Sequence, residues 1–212
     1  MIGRLVTFEG GEGTGKSTQI ALLAERLRES GHVVVTLREP GGTSVGEAVR
    51  AVVLDTEHVT MNPRAELLLY EAARAQLVDE VIRPALDRGE IVLCDRYRDS
   101  STAYQGHARG LALEMVRELN HAATGGLVPD LTILLDIDPR EGLRRATRSA
   151  VADRLESEDL AFHERVREGF LAIARSEPER VKVVDATLAP QAIADRVGAL
   201  VDALLSAGGE RG

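Results

Sequence analysis

The sequence predicts an α/β domain built on a five-stranded, mostly parallel sheet with helices on both faces. Two observations carry this. Short β-branched runs alternate along the whole chain with stretches whose apolar residues recur at helical spacing. The runs are also nearly continuous in apolar residues, the pattern of strands covered on both sides.

The first strand spans 5–9 and ends in glycines, and a helix follows over 19–27, stopping at Gly31. A second strand, HVVVTL, spans 32–37. Asn62 and Pro63 read as N-cap and first helical residue of a long helix reaching Arg88, with Leu67, Tyr70, Arg74, Leu77, Val78 and Val81 at helical spacing. Three more strands at 91–95, 131–136 and 181–185 read as buried on both faces, with helices at 111–123, 139–148, 160–175 and 189–205. The polar stretch 150–158 between two helices reads as a mobile loop. With no repeat or linker, residues 1–207 form one domain and 208–212 a frayed tail.

Composition narrows the class. The chain has 212 residues, 44% hydrophobic, with net charge −8, enough for a real core. Acidic balance, 3% aromatics and no tryptophan argue against a nucleic-acid partner. No apolar run reaches membrane-spanning length. A single cysteine, Cys94, excludes a disulfide framework and suits a reducing cytoplasm. Only Lys16 and Lys182 among 26 basic residues are lysine, a bias that a GC-rich genome alone could produce.

Lys16 lies in the strongest motif. Gly10-Gly11-Glu12-Gly13-Thr14-Gly15-Lys16-Ser17 fits G-x-x-x-x-G-K-[ST] after the first strand and at the start of the first helix. Backbone N–H groups at 10–18, through Thr18, would surround a nucleotide's phosphates, Lys16 would bridge their oxygens, and Ser17 would ligate Mg²⁺. With so few lysines, a chance match has a probability on the order of 10⁻³. This implies a P-loop NTPase fold that binds ATP or GTP. The guanine-reading [NT]-K-x-D element is missing, which argues against a GTP switch.

A second constellation, DRYRDSSTAYQG over 95–106, follows the third strand, where ligands collect in open parallel sheets. Asp95 could orient Mg²⁺, hold Arg96, or simply cap the strand. Arg96 has the planar fork suited to phosphate oxygens. Together with REPGGT at 38–43, YEAAR at 70–74, PDLTILLD at 129–136 and DRLESEDLAFHERVREGFL at 153–171, these motifs resemble the thymidylate kinase family of bacteria. Those enzymes make dTDP from dTMP and ATP.

The resemblance covers nearly the whole chain, and what it implies can be stated by residue. Arg96 binds the dTMP phosphate, Glu12 lies near the acceptor's sugar, phosphate or metal, and Arg38 and Pro40 belong to the acceptor site. Tyr70 stacks on thymine in place of the family's usual phenylalanine, and Arg74 bonds a thymine carbonyl. Ser101 reaches the base, Tyr104 packs against the sugar and disfavours a 2′-hydroxyl, and Gln105 is another pocket residue. Ser17 and Asp95 serve Mg²⁺, and the adenine lies between the lid helix and the 185–187 loop.

The P-loop offers no basic residue at Glu12, Gly13 or Thr14, so the resemblance implies the type that supplies a catalytic arginine from a short lid, about 148–158. Arg148 and Arg154 are favoured over Arg144 and Arg145, while Asp153, Glu156 and Glu158 tether the lid. Relatives are homodimers. Two other readings stay open: a P-loop kinase for another small molecule or nucleoside monophosphate, and a noncatalytic ATP-binding regulatory module.

Overall fold

A parallel sheet in the order β2-β3-β1-β4-β5 forms the centre of the computed structural model, which describes residues 3–146 and 153–209. The strands are β1 (Arg4–Glu9), β2 (Val34–Arg38), β3 (Ile91–Asp95), β4 (Leu131–Asp136) and β5 (Val181–Asp185). All four pairings are parallel, with Val6 of β1 opposite Leu93 on one side and Leu131 on the other.

Strand alternation divides the core between two faces. Val6, Phe8, Leu93, Ile133 and Leu135 pack on α1 (Lys16–Glu29) and α9 (Pro190–Gly209). Leu5, Val92 and Cys94 face the opposite layer, α3 (Pro63–Leu77) and α4 (Arg83–Asp87). There Leu134 meets α8 (Leu160–Ser176) through Phe162, Val166 and Phe170.

Several expectations need correction. β2 and β5 are the sheet edges rather than strands buried on both faces: Val183 is half exposed, and Lys182 Nζ reaches the Pro178 carbonyl at 2.6 Å. An edge strand has a neighbour on one side only, which an apolar run does not reveal. Helix α1 starts at Lys16, before its apolar stripe, because its first turn serves the loop and not the core.

Helix α2 (Ser44–Leu54) was not expected, although Val45, Val49, Val52 and Val53 recur at helical spacing. Thr43 caps it, its Oγ1 accepting from Gly46 N at 2.9 Å. The long helix from Pro63 is interrupted by a π turn at Val78–Ile82, just before Pro84, which has no N–H to donate. Likewise α5 (Arg98–Ser101) continues as a π stretch, Thr102–Ala108, before α6 (Leu113–Thr124).

Helix α7 spans Pro139–Ala146, so Arg148 and the beginning of the expected lid lie outside the described residues. Helix α9 runs to Gly209, so the expected tail at 208–212 begins inside a helix; residues 210–212 lie outside the description. No helix among the described residues is long and apolar enough to cross a membrane.

Candidate active site

β1 turns directly through residues 10–15 into α1, aiming the N-terminal end of a 14-residue helix at the loop. Gly13 is required there: its φ is 64°, and a Cβ would collide with the Gly142 carbonyl of α7. Lys16 Nζ donates to the carbonyls of Gly10 (3.2 Å) and Gly11 (2.9 Å). Burial, then the nearby Arg96 charge, lowers the Lys16 pKa, while Asp95, Glu12 and Glu9 counter that shift.

Sheet register sets Phe8 opposite Asp95, so the end of β3 adjoins the loop, and Ser17 Oγ donates to Asp95 Oδ2 at 3.0 Å. The next residue, Arg96, has φ 68°, left-handed backbone that costs a non-glycine residue on the order of 1 kcal/mol. Its surroundings hold it there. Arg96 N donates to Phe8 O at 2.9 Å, and buried Glu9 accepts from Tyr97 N (2.8 Å), Ser100 N (3.3 Å) and Ser100 Oγ (2.6 Å). Burial, then the Asp99 charge, pushes the Glu9 carboxyl up to about 8.

That turn carries the Arg96 guanidinium across the loop. Nη1 donates to Gly10 O at 3.0 Å and Nη2 to Glu12 Oε1 at 2.6 Å, and the same oxygen accepts from the Tyr104 hydroxyl at 2.6 Å. The guanidinium also stands 5.0 Å from the Tyr104 ring centre. Burial alone would raise the Glu12 pKa, but Arg96, Lys16 and the Tyr104 hydroxyl outweigh it and hold it at about 2. The result is an ionised carboxylate under a forked cation, at the seam between two cavities.

One cavity, about 350 Å³, is lined by residues 12–18 with Arg38, Arg50, Asp95 and Arg96, a ring of donors suited to phosphates. The other, about 160 Å³, is lined by Tyr70, Tyr104, Gln105, Pro40, Leu54 and Leu155, with the flat and apolar surfaces that suit a base and sugar. Glu12, Glu39, Arg50 and Arg96 line both.

A family model described as thymidylate kinase matches residues 8–197. The chain belongs to the thymidylate kinase family. It is 59% identical to the thymidylate kinase of Deinococcus radiodurans over 185 residues, covering 87% of this chain and 89% of that protein. It is 53% identical to the thymidylate kinase of Thermomicrobium roseum over 204 residues, covering 96% of each chain. Among solved structures, the thymidylate kinase of Ehrlichia chaffeensis is similar with TM-score 0.77 and 32% identity, covering 95% of this chain and 99% of that one.

Against the thymidylate kinase expectations, Tyr70, Tyr104, Gln105 and Pro40 do meet in one cavity, and Arg38 joins the loop cavity while its Nη2 holds Glu47 Oε2 at 2.9 Å. Arg74 and Ser101 are placed differently. Arg74 is 1% exposed and lies behind the pocket wall, donating to Glu39 (2.8 Å), Glu71 (2.7 Å), Asn120 (2.9 Å), Ser101 Oγ (3.0 Å) and Tyr97 O (3.1 Å). Ser101 is buried on that bond, and its neighbour Ser100 lines the cavity of Tyr70 and Tyr104 instead.

Arg154, expected at the lid, faces inward in this structure. It is 5% exposed and turned into the protein, with Nε on Val53 O at 2.8 Å and Nη2 on Glu66 Oε2 at 2.7 Å. Glu158 does tether its segment, to Arg109 at 2.6 Å, whereas Asp153 Oδ1 caps the N–H groups of Leu155 and Glu156. Arg144 and Arg145 pair with Glu141, and Arg145 Nη1 also reaches Ala186 O at 3.0 Å, joining α7 to the loop where adenine was expected.

Sequence reasoning missed Arg50, Glu39 and Ser100. Arg50 projects from the unexpected α2, with Nη1 on Pro40 O at 3.1 Å. Glu39, whose pKa burial lifts to about 7 against the opposing Arg74 charge, sits in REPGGT between Arg38 and Pro40.

Proposed function

We propose that the chain transfers the γ-phosphoryl group of ATP to dTMP, giving dTDP and ADP for dTTP synthesis. The observation that carries this reading is the Glu12–Arg96 pair, which lines both cavities, so that an acceptor phosphate on Arg96 faces a donor phosphate cradled by residues 10–18. An oxygen of the dTMP phosphate attacks the γ-phosphorus, the bond to the β-phosphate's bridging oxygen breaks, and ADP leaves. No side chain acts as nucleophile. Lys16 exchanges its contacts with Gly10 and Gly11 for phosphate oxygens, and Arg96 with Arg38 and Arg50 offsets the repulsion between the two anions.

In the acceptor cavity Tyr70 stacks on the base, Gln105 reads its edge, and Tyr104 packs on the sugar. Arg74 acts from behind the wall, holding Glu39 and Ser101 in place. The lid arginine that meets the transferring group is Arg148, since Arg154 is engaged elsewhere. Arg148→Ala therefore lowers kcat and leaves dTMP binding intact.

The Ser17 hydroxyl and Asp95 carboxylate fit Mg²⁺: hard oxygen donors 3.0 Å apart beside the phosphate cavity, for an ion that takes few protein groups and keeps its waters. Held there by Ser17 and Asp95, Mg²⁺ would offset the negative charge of the nucleotide's phosphates. We assign a cytoplasmic location, which suits the buried, free Cys94, and a homodimer, which would cover exposed Val52 of α2 and Leu68 of α3. Sedimentation at twice the 22.9 kDa chain mass supports the dimer, and the chain mass alone refutes it.

Calorimetry tests the reading directly. dTMP binds without ATP and CMP does so far more weakly. A protein that binds ATP and no dTMP is the noncatalytic module instead.

A further inference from the structure

Glu66 of α3 is buried with no exposure, yet none of the chemistry above uses it. Its carboxylate accepts hydrogen bonds from the π stretch and its end and forms an ion pair with Arg154. Gln105 Nε2 of the π stretch donates to Oε1 at 2.8 Å, and Arg109, which ends that stretch, reaches Oε1 from Nε at 3.3 Å and Oε2 from Nη2 at 3.1 Å. Arg154 Nη2 completes the set as an ion pair with Oε2 at 2.7 Å. Arg109 doubles the link, pairing with Glu158 at 2.6 Å and lying 4.6 Å from the Phe162 ring centre.

The segment fixed this way is also pocket wall. Asp153, Leu155 and Glu156 line the acceptor cavity, and Leu155 packs in one cluster with Tyr104 and Phe162. One carboxylate thus holds a residue facing the base and the loop that covers it. Burying a carboxylate with two arginines is costly unless all partners stay in place, so the arrangement favours two discrete states, seated and released, over gradual loosening.

We propose that Glu66 is a positioning residue that couples occupancy of the acceptor cavity to the seating of segment 153–158, with Gln105 and Arg154 as the two ends of the coupling. It rests on the acceptor reading of that cavity. Linkage makes the effect reciprocal: a ligand that orders Gln105 favours the seated segment, and unseating the segment weakens the ligand.

The test is a double-mutant cycle on dTMP affinity with Gln105→Ala and Arg154→Gln, read alongside hydrogen exchange of the 153–158 amides in the full chain. Arg154→Gln, although outside the cavity, raises the dTMP Kd about 5–20-fold, in the usual range of coupling between sites. Its effect shrinks to about twofold in the Gln105→Ala background. In the wild type dTMP slows exchange at 153–158, and in Glu66→Gln it does not. Additive effects, or an Arg154→Gln affinity within twofold of wild type, overturn the proposal. If Glu66→Gln fails to fold, the cycle decides alone. A wild-type chain that does not bind dTMP refutes the acceptor reading itself, a result distinct from an additive cycle.

Discussion

Arg96→Ala separates acceptor binding from donor binding. In the wild type the guanidinium rests on Glu12 Oε1 at 2.6 Å and Gly10 O at 3.0 Å, contacts that its fork exchanges for two oxygens of an acceptor phosphate. Hydrogen bonds to charged groups contribute about 1.5–3 kcal/mol each, so losing two removes about 3–6 kcal/mol. That corresponds to a fall in kcat/KM for dTMP of roughly 10²–10⁴. Glu12 also loses the strongest of the charges that hold its carboxyl at about 2, so its pKa rises, adding to the loss. Arg96→Lys keeps a point charge and loses the fork, so it falls between wild type and alanine. Affinity for ATP, bound by loop backbone and Lys16, stays within about threefold. Arg96→Gly adds a control: at φ 68° glycine relieves the strain that alanine keeps, so it is more stable than Arg96→Ala by about 1 kcal/mol in denaturant unfolding. A coupled ADP-release assay gives kcat and KM, and calorimetry gives both affinities. Equal losses for ATP and dTMP, or a change in kcat/KM below tenfold, would refute the assignment of Arg96 to the acceptor.

Three other outcomes follow from the same geometry. Lys16→Ala abolishes measurable transfer while far-UV circular dichroism is unchanged, because the lysine's contacts are to loop carbonyls and not to the core. Asp95→Asn shifts the Mg²⁺ dependence of kcat to higher concentration at unchanged dTMP KM, and an unchanged Mg²⁺ titration counts against the Ser17–Asp95 pair. Glu9 carries a raised pKa of about 8 against an ordinary 4.5, so the folded chain keeps a proton that the unfolded chain has released. Its contribution to stability is full below about pH 4.5 and is lost as pH rises through 8. The thermal midpoint of the wild type therefore falls over that window, and Glu9→Gln flattens the slope, leaving the part due to Glu39 at about 7. An identical slope in the variant would show that another group is responsible.

Features confined to neighbouring residues were legible in the sequence. The loop from Gly10 to Ser17 works through its own backbone, so contiguous spacing predicts it, and β3, β4 and β5 fall where their apolar runs stand. Arg96 was legible because the end of a central strand is where a parallel sheet collects ligands. Arg74 was not, because its role depends on Glu39 and Asn120, acceptors brought to it only by packing of separate elements. The surroundings of Arg154 were hidden for the same reason: a lid arginine and a buried one look alike in sequence until packing places Glu66 beside one of them. Arg50 was hidden with its helix, whose stripe over 45–53 is made of valines, residues that fit a strand as readily as a helix.

The central claim is that the cavity beside Arg96 accepts dTMP for phosphoryl transfer, and one steady-state survey tests it most directly. ADP release from ATP is measured with dTMP, dUMP, UMP, CMP, AMP and GMP in turn. The account predicts the highest kcat/KM for dTMP, with dUMP lower by about 10–200-fold, the range one missing methyl group allows, and UMP lower still. If CMP or AMP outpaces dTMP, the acceptor assignment fails.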